Sequence, residues 1–590
     1  MRISRRHFLA SAAAVAAPAS RPNIVFVITD DQGYGDIARH GNPVLKTPNM
    51  DALHDESLRL TNYHVSPTCA PTRSALMTGR YTNLVGPWHT IQGRSILHHD
   101  EVTMADCFRA GGYRTGIFGK WHLGDNYPCR PQDRGFDEVL ILGGGGIWQT
   151  PDHFGNDYFD DTYLHNGKPE KFTGFCTDVF FGAAQKFIAE SAKQKKPFFC
   201  YLPTNAPHGP MWAPAENEGH YKGQKESGFF GMIENIDENL GRLRAYLQTA
   251  GLASNTIFIF TTDNGTASGA QVFNAGMRGN KGSAYEGGHR VPFFLHWPAG
   301  GFKTNRPIAA LTAHIDVLPT LLELTGVKRA KGPALHGRSM APLFKGVAGP
   351  ARSIVVDSQR EEKLLPWRQA AVMTEEWRLV SPGLGGAGEP KKLELYDMRK
   401  DPGQKTDVAG EHPEVVARLR RDYETWWAMV SKRAGEYARI ILGDPHENPV
   451  RMTAHDWHGE GATKTWNQAS ILRGPDANGF WAVLVRAGKY RVELRRWPRE
   501  LDLPLGAGYT PPADNREKTA GKAISGIQKA RLRVGAVDKT MAVDPGERAA
   551  VFEVDLPAGP AELQTWLISR DGSERGAYYV YAEKLGNSRG

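Results

Sequence analysis

The sequence predicts an α/β fold: a large mixed, mostly parallel sheet flanked by helices, followed by a C-terminal antiparallel β domain. Three observations carry this. Continuous apolar, β-branched runs at 23–29, 196–203 and 255–262 read as strands buried on both faces, the habit of parallel sheets. Helical segments at 50–60, 104–110, 178–193 and 226–249 separate them, and further helices are expected at 317–325 and 412–432. After 443–449 the texture changes to short alternating strands such as "GFWAVLV", "YRVELRRW" and "AAVFEVDL", which predicts a β-sandwich-like unit.

In chain order, residues 1–20 read as a leader. A basic start, a short apolar run and small residues at Ala17 and Ala19 mark a secretory signal too short to span a bilayer. Ser4-Arg5-Arg6-His7-Phe8-Leu9 looks like a twin-arginine export signal, so the expected location is periplasmic or secreted. Residues 21–440 then form the main unit, with a small sheet element near 370–400, and residues 441–590 the C-terminal unit. A chain of 590 residues is too long for one core, which supports the division. The formal charge of +8 is dispersed, with no Lys/Arg run that suggests nucleic acid and no later apolar stretch that suggests a membrane span. The five cysteines contain no CxxC, which argues against a zinc ribbon. With Cys69 set apart, Cys107, Cys129, Cys176 and Cys200 can pair in three ways or remain thiols.

Sites in such sheets form beyond the carboxyl ends of the strands. Asp30 and Asp31 follow the first apolar run, and Asp263 and Asn264 follow the third. These oxygen donors suit calcium or magnesium; each pair alone is more often turn or cap chemistry, and it is two such pairs at parallel-strand ends that bring a metal into play. Lys120 and His122 end a strand-like segment, and i, i+2 spacing in an extended chain puts both on one face. His208 lies in the Pro/Gly-rich "TNAPHGP", and Lys281 in a glycine-rich loop. Cys69 precedes Pro71, Thr72 and Arg73 at the start of a helix-like run, where the dipole and free N–H groups favour an anion. A thiolate nucleophile is one reading of that cysteine.

The stretch "SPTCAPTRSALMTGR" resembles the C-x-P-S-R signature of the type I sulfatases, within the alkaline phosphatase superfamily, with Thr72 where the family usually has Ser. "ITDDQGYGD", "GKWHLG", "APHGP", "TTDNG", Lys281 in the loop that follows and "ELYDMRKDPGQKTDVA" match further family elements in order, over about residues 22–440. The resemblance implies an alkaline-phosphatase-like fold and a sulfuric ester hydrolase. It implies that Cys69 is oxidised by a formylglycine-generating maturation enzyme, and that the formylglycine hydrate is the nucleophile. It carries Asp30, Asp31, Asp263, Asn264 and residue 69 over as ligands of Ca2+, and Arg73, Lys120, His122, His208 and Lys281 as catalytic groups. A phosphonate or phosphate ester hydrolase of the same superfamily is the main alternative, and a non-catalytic sulfated-glycan-binding protein or a thiol-dependent hydrolase are others.

Between the motifs, Trp88, His89 and Asp152 are the candidate substrate contacts, with His98, His99, Trp212 and the Gly/Asp/aromatic loop 143–161 beside them. His455, Asp456 and Trp457 could add contacts from the C-terminal unit. Around this region the chain resembles bacterial polysaccharide-degrading sulfatases. The expected substrate is therefore a sulfated oligo- or polysaccharide of galactose or N-acetylgalactosamine type, from which sulfate is removed in exo fashion.

Overall fold

A computed structural model describes residues 21–302, 304–385 and 388–586. The proposed leader, residues 1–20, lies outside the described residues. The central sheet runs, edge to edge, Arg306–Ile308, Leu58–Leu60, Phe293–His296, Thr256–Thr262, Asn23–Thr29, Phe198–Pro203, Arg114–Lys120, Glu138–Leu142, Thr162–His165, Lys168–Lys171. The five strands from Thr256–Thr262 to Glu138–Leu142 are mutually parallel. Strand pleating sends Ile24, Phe26 and Ile28 into one core layer and Val25 and Val27 into the other. Helices Cys176–Lys193 and Ser227–Thr249 cover the second layer, and Met104–Ala110 and Val317–Thr325 the first. All three apolar runs are strands, and the sheet is mixed and mostly parallel as expected.

One expected helix is shorter. The 50–60 segment is helical only over Pro48–Glu56; Leu58–Leu60 is a strand between Phe293–His296 and Arg306–Ile308. Strand partners more than 200 residues away override a local helical pattern there. The small sheet expected near 370–400 begins earlier: Ile354–Asp357, Ala370–Met373, Trp377–Ser381 and Glu394–Asp397 form an antiparallel meander. Helix Pro413–Val430 packs on it through Leu419, Tyr423, Trp426 and Val430.

The C-terminal strands form two sheets, one of six strands and one of four. Their pairings are antiparallel apart from Ile440–Leu442 on Phe480–Val485. Residues of both sheets, such as Leu532, Leu563, Val492 and Val580, share one core, the arrangement of a sandwich. That core also takes in Ile96, Cys129 and Phe154 from the first part of the chain. All five cysteines are buried and unpaired, so none of the three disulfide pairings occurs. Among the described residues no helix is long and apolar enough to cross a membrane.

Candidate active site

The parallel strands deliver the acidic residues to one edge. Asp30 and Asp31 leave Asn23–Thr29, and Asp263 and Asn264 leave its neighbour, where Thr29 pairs with Thr262. Lys120 ends Arg114–Lys120, and His208 lies beyond Phe198–Pro203. Cys69 is the first residue of helix Cys69–Thr78, all ten of whose residues are buried. Thr72 Oγ1 donates to the Ser66 carbonyl at 2.9 Å, bracing the turn that presents Cys69. Lys281 arrives on a loop tied to the same turn, with Gly282 N donating to the Pro67 carbonyl at 2.8 Å.

Charge pairing joins these groups. Lys120 Nζ donates to Asp30 Oδ2 at 2.5 Å, and Lys281 Nζ to Asp31 Oδ2 at 2.7 Å. Arg73 Nη2 donates to Asp263 Oδ2 at 2.7 Å and Nη1 to the Lys120 carbonyl at 3.1 Å. Asn264 Nδ2 donates to Asp31 Oδ1 at 2.9 Å, and His208 Nε2 lies 3.8 Å from Asp31 Oδ2. Asp31 holds a left-handed φ of 66°, rare for a residue other than glycine and typical of functional sites. A close approach explains the glycine of "TTDNG": a Cβ on Gly265 would lie 1.8 Å from the Gly287 carbonyl oxygen.

Burial works against the charged forms, and neighbours decide the outcome. It raises the Asp263 pKa to about 6, with the Asp30 carboxylate adding to it against Arg73 and Lys120. Asp31 goes the other way: burial is outweighed by Lys281, His208 and the Asn264 amide, so it stays ionised. Burial pushes the Cys69 thiol up despite Lys120 and Lys281, so the site does not prepare a thiolate. His208 falls to about 4 through burial and the Lys281 charge.

Asp30, Cys69 and Asp263 bring ligand atoms within 4.8 Å of one another. Asp30 Oδ1 and Asn264 Oδ1 are buried with no hydrogen-bond partner. Orphaned hard oxygens beside crowded carboxylates fit a divalent cation of the calcium type. A second buried cluster, His64, Glu286 and His289, does not. Arg378 Nε donates to Glu286 Oε1 at 2.6 Å, and the two histidines bond each other through Nδ1 at 2.9 Å. A guanidinium already supplies the positive charge there.

Lys120 and His122 do lie near each other, but not by strand alternation. The strand stops at Lys120, and His122 has φ 62°. Its orientation comes instead from the Thr90 carbonyl, which accepts from Nε2 at 2.9 Å. That bond places the ring proton on Nε2 and leaves Nδ1, buried and unpartnered, as a lone pair. Burial, Lys120 and His455 hold the ring well below the usual histidine pKa, so it is neutral. Gly145 lies against it, where a Cβ would sit 2.1 Å from Cε1, and a Cβ on Gly146 would lie 3.6 Å from His208 Nδ1. Thr90, Gly145 and Gly146 escaped the sequence reading as site residues; the only signal was the glycine run inside the loop 143–161.

Several expected substrate contacts have other uses. Trp88 is buried, donates Nε1 to the Glu361 carbonyl at 3.1 Å and stacks under Arg94. Asp152 is buried and braces its own loop, accepting from Trp148 N and Asn156 Nδ2. Trp457 is a core residue against Trp481 and Tyr578. The carbonyls of His98 and His99 accept from Arg134. His89 stays near the site, buried, with its pKa lowered to about 3 by burial and Arg360. Trp148 and Trp212 remain partly exposed and meet edge to face at 5.5 Å, and Tyr158 beside them donates to the His208 carbonyl at 2.6 Å.

Comparison with known proteins places this arrangement. Residues 22–327 match the family model described as Sulfatase, and residues 279–426 match N-sulphoglucosamine sulphohydrolase, C-terminal. Arylsulfatase J of Mus musculus is 27% identical over 494 residues, 75% of this chain and 80% of that protein. The N-acetylgalactosamine-6-O-sulfatase of Bacteroides thetaiotaomicron is 28% identical over 493 residues, 68% of this chain and 92% of that one. Among solved structures, Ps i-CgsB superimposes with a TM-score of 0.62 at 28% identity, over 69% of this chain and 92% of that one. The same protein has been solved in complex with k-i-k-neocarrahexaose. With the family model spanning more than half of its length, the chain belongs to the sulfatase family and is an arylsulfatase-like sulfatase.

Proposed function

We propose that the protein removes sulfate from a sulfated carbohydrate of galactose or N-acetylgalactosamine type, using a formylglycine made from Cys69 and a bound Ca2+. The observation that carries this is the convergence of Arg73, Lys120 and Lys281 with four oxygen-bearing residues around the buried first turn that holds Cys69. Asp30, Asp31, Asp263, Asn264 and residue 69 would hold the cation. When bound, the cation supplies charge neutralisation at a sulfate oxygen, and the formylglycine supplies the oxygen nucleophile.

The chain's own residues account for the rest. Lys120, Lys281 and Arg73, largely buried, offset the negative charge of a sulfate ester. His122 Nδ1 has the free lone pair to accept a proton. His208 keeps Nδ1 on the Gly209 carbonyl at 2.7 Å, which leaves Nε2 to carry a proton to the leaving oxygen. The anionic ester, once bound, favours the imidazolium that this transfer needs. Trp148 and Trp212 offer aromatic surface near His208 for a sugar ring. Two relatives support the carbohydrate class: one is named as an N-acetylgalactosamine-6-O-sulfatase, and the other was solved with neocarrahexaose. The leader at 1–20 supports export as a folded protein to the periplasm or beyond.

The test begins with the mass of the tryptic peptide Leu60–Arg73 from protein co-expressed with a maturation enzyme. An aldehyde or its hydrate at residue 69 is expected, together with sulfate release from sulfated galactosides that Cys69→Ala abolishes. An unmodified thiol in fully active protein refutes the nucleophile. Turnover of phosphodiesters above that of sulfate esters refutes the substrate class.

A further inference from the structure

Thr90, whose carbonyl orients His122, lies in the irregular loop 89–94. The C-terminal module supports that loop. Gln92 N donates to the His455 carbonyl at 3.0 Å. Gly93 abuts the same segment: a Cβ there would lie 2.4 Å from His458 Nε2 and 3.1 Å from the Asp456 carbonyl oxygen. His455 is 1% exposed, and its own N–H donates to Thr150 Oγ1 at 3.0 Å. Its Nδ1 pairs with Asp456 Oδ1 at 2.9 Å, and its ring centre lies 6.2 Å from that of His122. Its Nε2 is buried without a partner of good hydrogen-bond geometry. The Thr90 carbonyl, the one His122 already uses, is among the groups that raise the pKa of that ring.

We propose that His455, oriented by Asp456, is a positioning residue for His122 and acts through the Thr90 carbonyl, so that the C-terminal module completes the active site. A carbonyl oxygen has two lone pairs and can face two donors. With Nδ1–H given to Asp456, Nε2 is a donor only in the imidazolium form. Burial opposes that form, but the Asp456 and Asp125 carboxylates outweigh burial and raise the His455 pKa. A second donor pins the carbonyl direction, and the carbonyl in turn fixes which nitrogen of His122 carries the proton. The groups facing His122 are Lys120, Arg73 and His455; those facing His455 are Asp456, Asp125, His122 and His89.

This inference rests on reading His122 as the proton acceptor, and the experiment separates the two. Fully matured enzyme is assayed on an aryl sulfate, with His122→Asn, His455→Ala, His455→Gln, Asp456→Asn and, as a control in the C-terminal core, Val483→Ala. His455→Ala should lower kcat about tenfold with KM little changed, less than the 10²- to 10⁴-fold a proton-transfer group itself supplies. His455→Gln, which keeps an N–H, should recover part of the loss, and Asp456→Asn should fall between. Without the neighbouring imidazolium His122 holds its proton to higher pH, so the acid limb of the kcat profile should move upward. Imidazole 15N shifts, with His122 assigned by the His122→Asn difference, should show one Nε2–H tautomer in the parent and a mixture in His455→Ala. Val483→Ala should change none of these per folded molecule. A folded His455→Ala with the parent kcat, pH profile and His122 tautomer overturns the proposal. A His122→Asn enzyme of parent activity overturns the reading beneath it instead.

Discussion

The buried pair Glu286–Arg378 provides a sharp test of how the Lys281 loop is anchored. Glu286 is 1% and Arg378 2% exposed, and their 2.6 Å bond ties the short helix Glu286–His289, five residues past Lys281, to the small sheet. The two ends are not equivalent. Without Glu286, Arg378 keeps Asn62 Oδ1 at 2.8 Å and the carbonyls of Thr374 and Trp377. Without Arg378, Glu286 loses its bonded cation and stays buried. Glu286→Gln therefore costs about 1–1.5 kcal/mol, because the amide oxygen can still accept from Arg378 and only the charge on that bond is lost. Arg378→Met costs about 3–5 kcal/mol, because it strands a buried carboxylate. The double variant should be more stable than Arg378→Met alone, since the stranded charge is gone. Urea midpoints at pH 7 with unchanged slope read these differences. The carboxyl also sets their pH dependence. Burial raises its pKa, but Arg378, His64 and His289 outweigh burial and hold it far below the usual value. Its contribution is thus complete above the unfolded carboxyl pKa of about 4.3 and fades as pH falls below that. Parent and Glu286→Gln should converge in acid. Equal costs for the two single variants, summing in the double, would refute the asymmetry.

Other expectations follow from the same geometry. Gly145→Ala sets a methyl against the His122 ring and should lower kcat about a hundredfold, as displacement of a catalytic group by about 1 Å does, with folding checked by circular dichroism. Chelation should abolish sulfate release, and Ca2+ should restore it better than Zn2+, because the donors are oxygens. Trp148→Ala and Trp212→Ala should raise KM for a sulfated saccharide roughly tenfold, and that for a small aryl sulfate much less, in steady-state assays.

What the sequence made legible was what short-range physics dictates. Asn23–Thr29 lacks polar alternation because both of its faces are covered, and that leaves a visible apolar run. Asp30 and Asp263 stand out because strand ends are where such sheets place their chemistry. The features that stayed hidden are tertiary. Leu58–Leu60 became a strand because two remote segments offered it hydrogen bonds. The spacing of Lys120 and His122 suggested a shared pocket, but a left-handed residue and the carbonyl of Thr90 bring the two near each other, and a carbonyl has no letter in the sequence. Trp88 and Trp148 look alike in the chain, yet one is sealed under Arg94 and the other stays partly exposed, edge to face with Trp212.

The C-terminal strands show the same divide most plainly. Their alternation revealed one apolar face per strand and therefore a packed pair of sheets. It could not reveal that the resulting core continues into Cys129 and into Ile96 and Phe154, the last two on the segments that also carry the Thr90 and Gly145 loops. Polar contacts follow the same seam: Gln468 N donates to the Trp148 carbonyl at 2.7 Å, Thr150 N to the Trp466 carbonyl at 3.1 Å, and Arg516 N to Asp157 Oδ2 at 2.7 Å. A glycine-rich loop has high conformational entropy to lose before it can hold a histidine in place. Bonds from the C-terminal residues Trp466, Gln468 and Arg516 offset that loss where the loop's own residues cannot, so the appended unit bears on how this loop is held as well as on its own core.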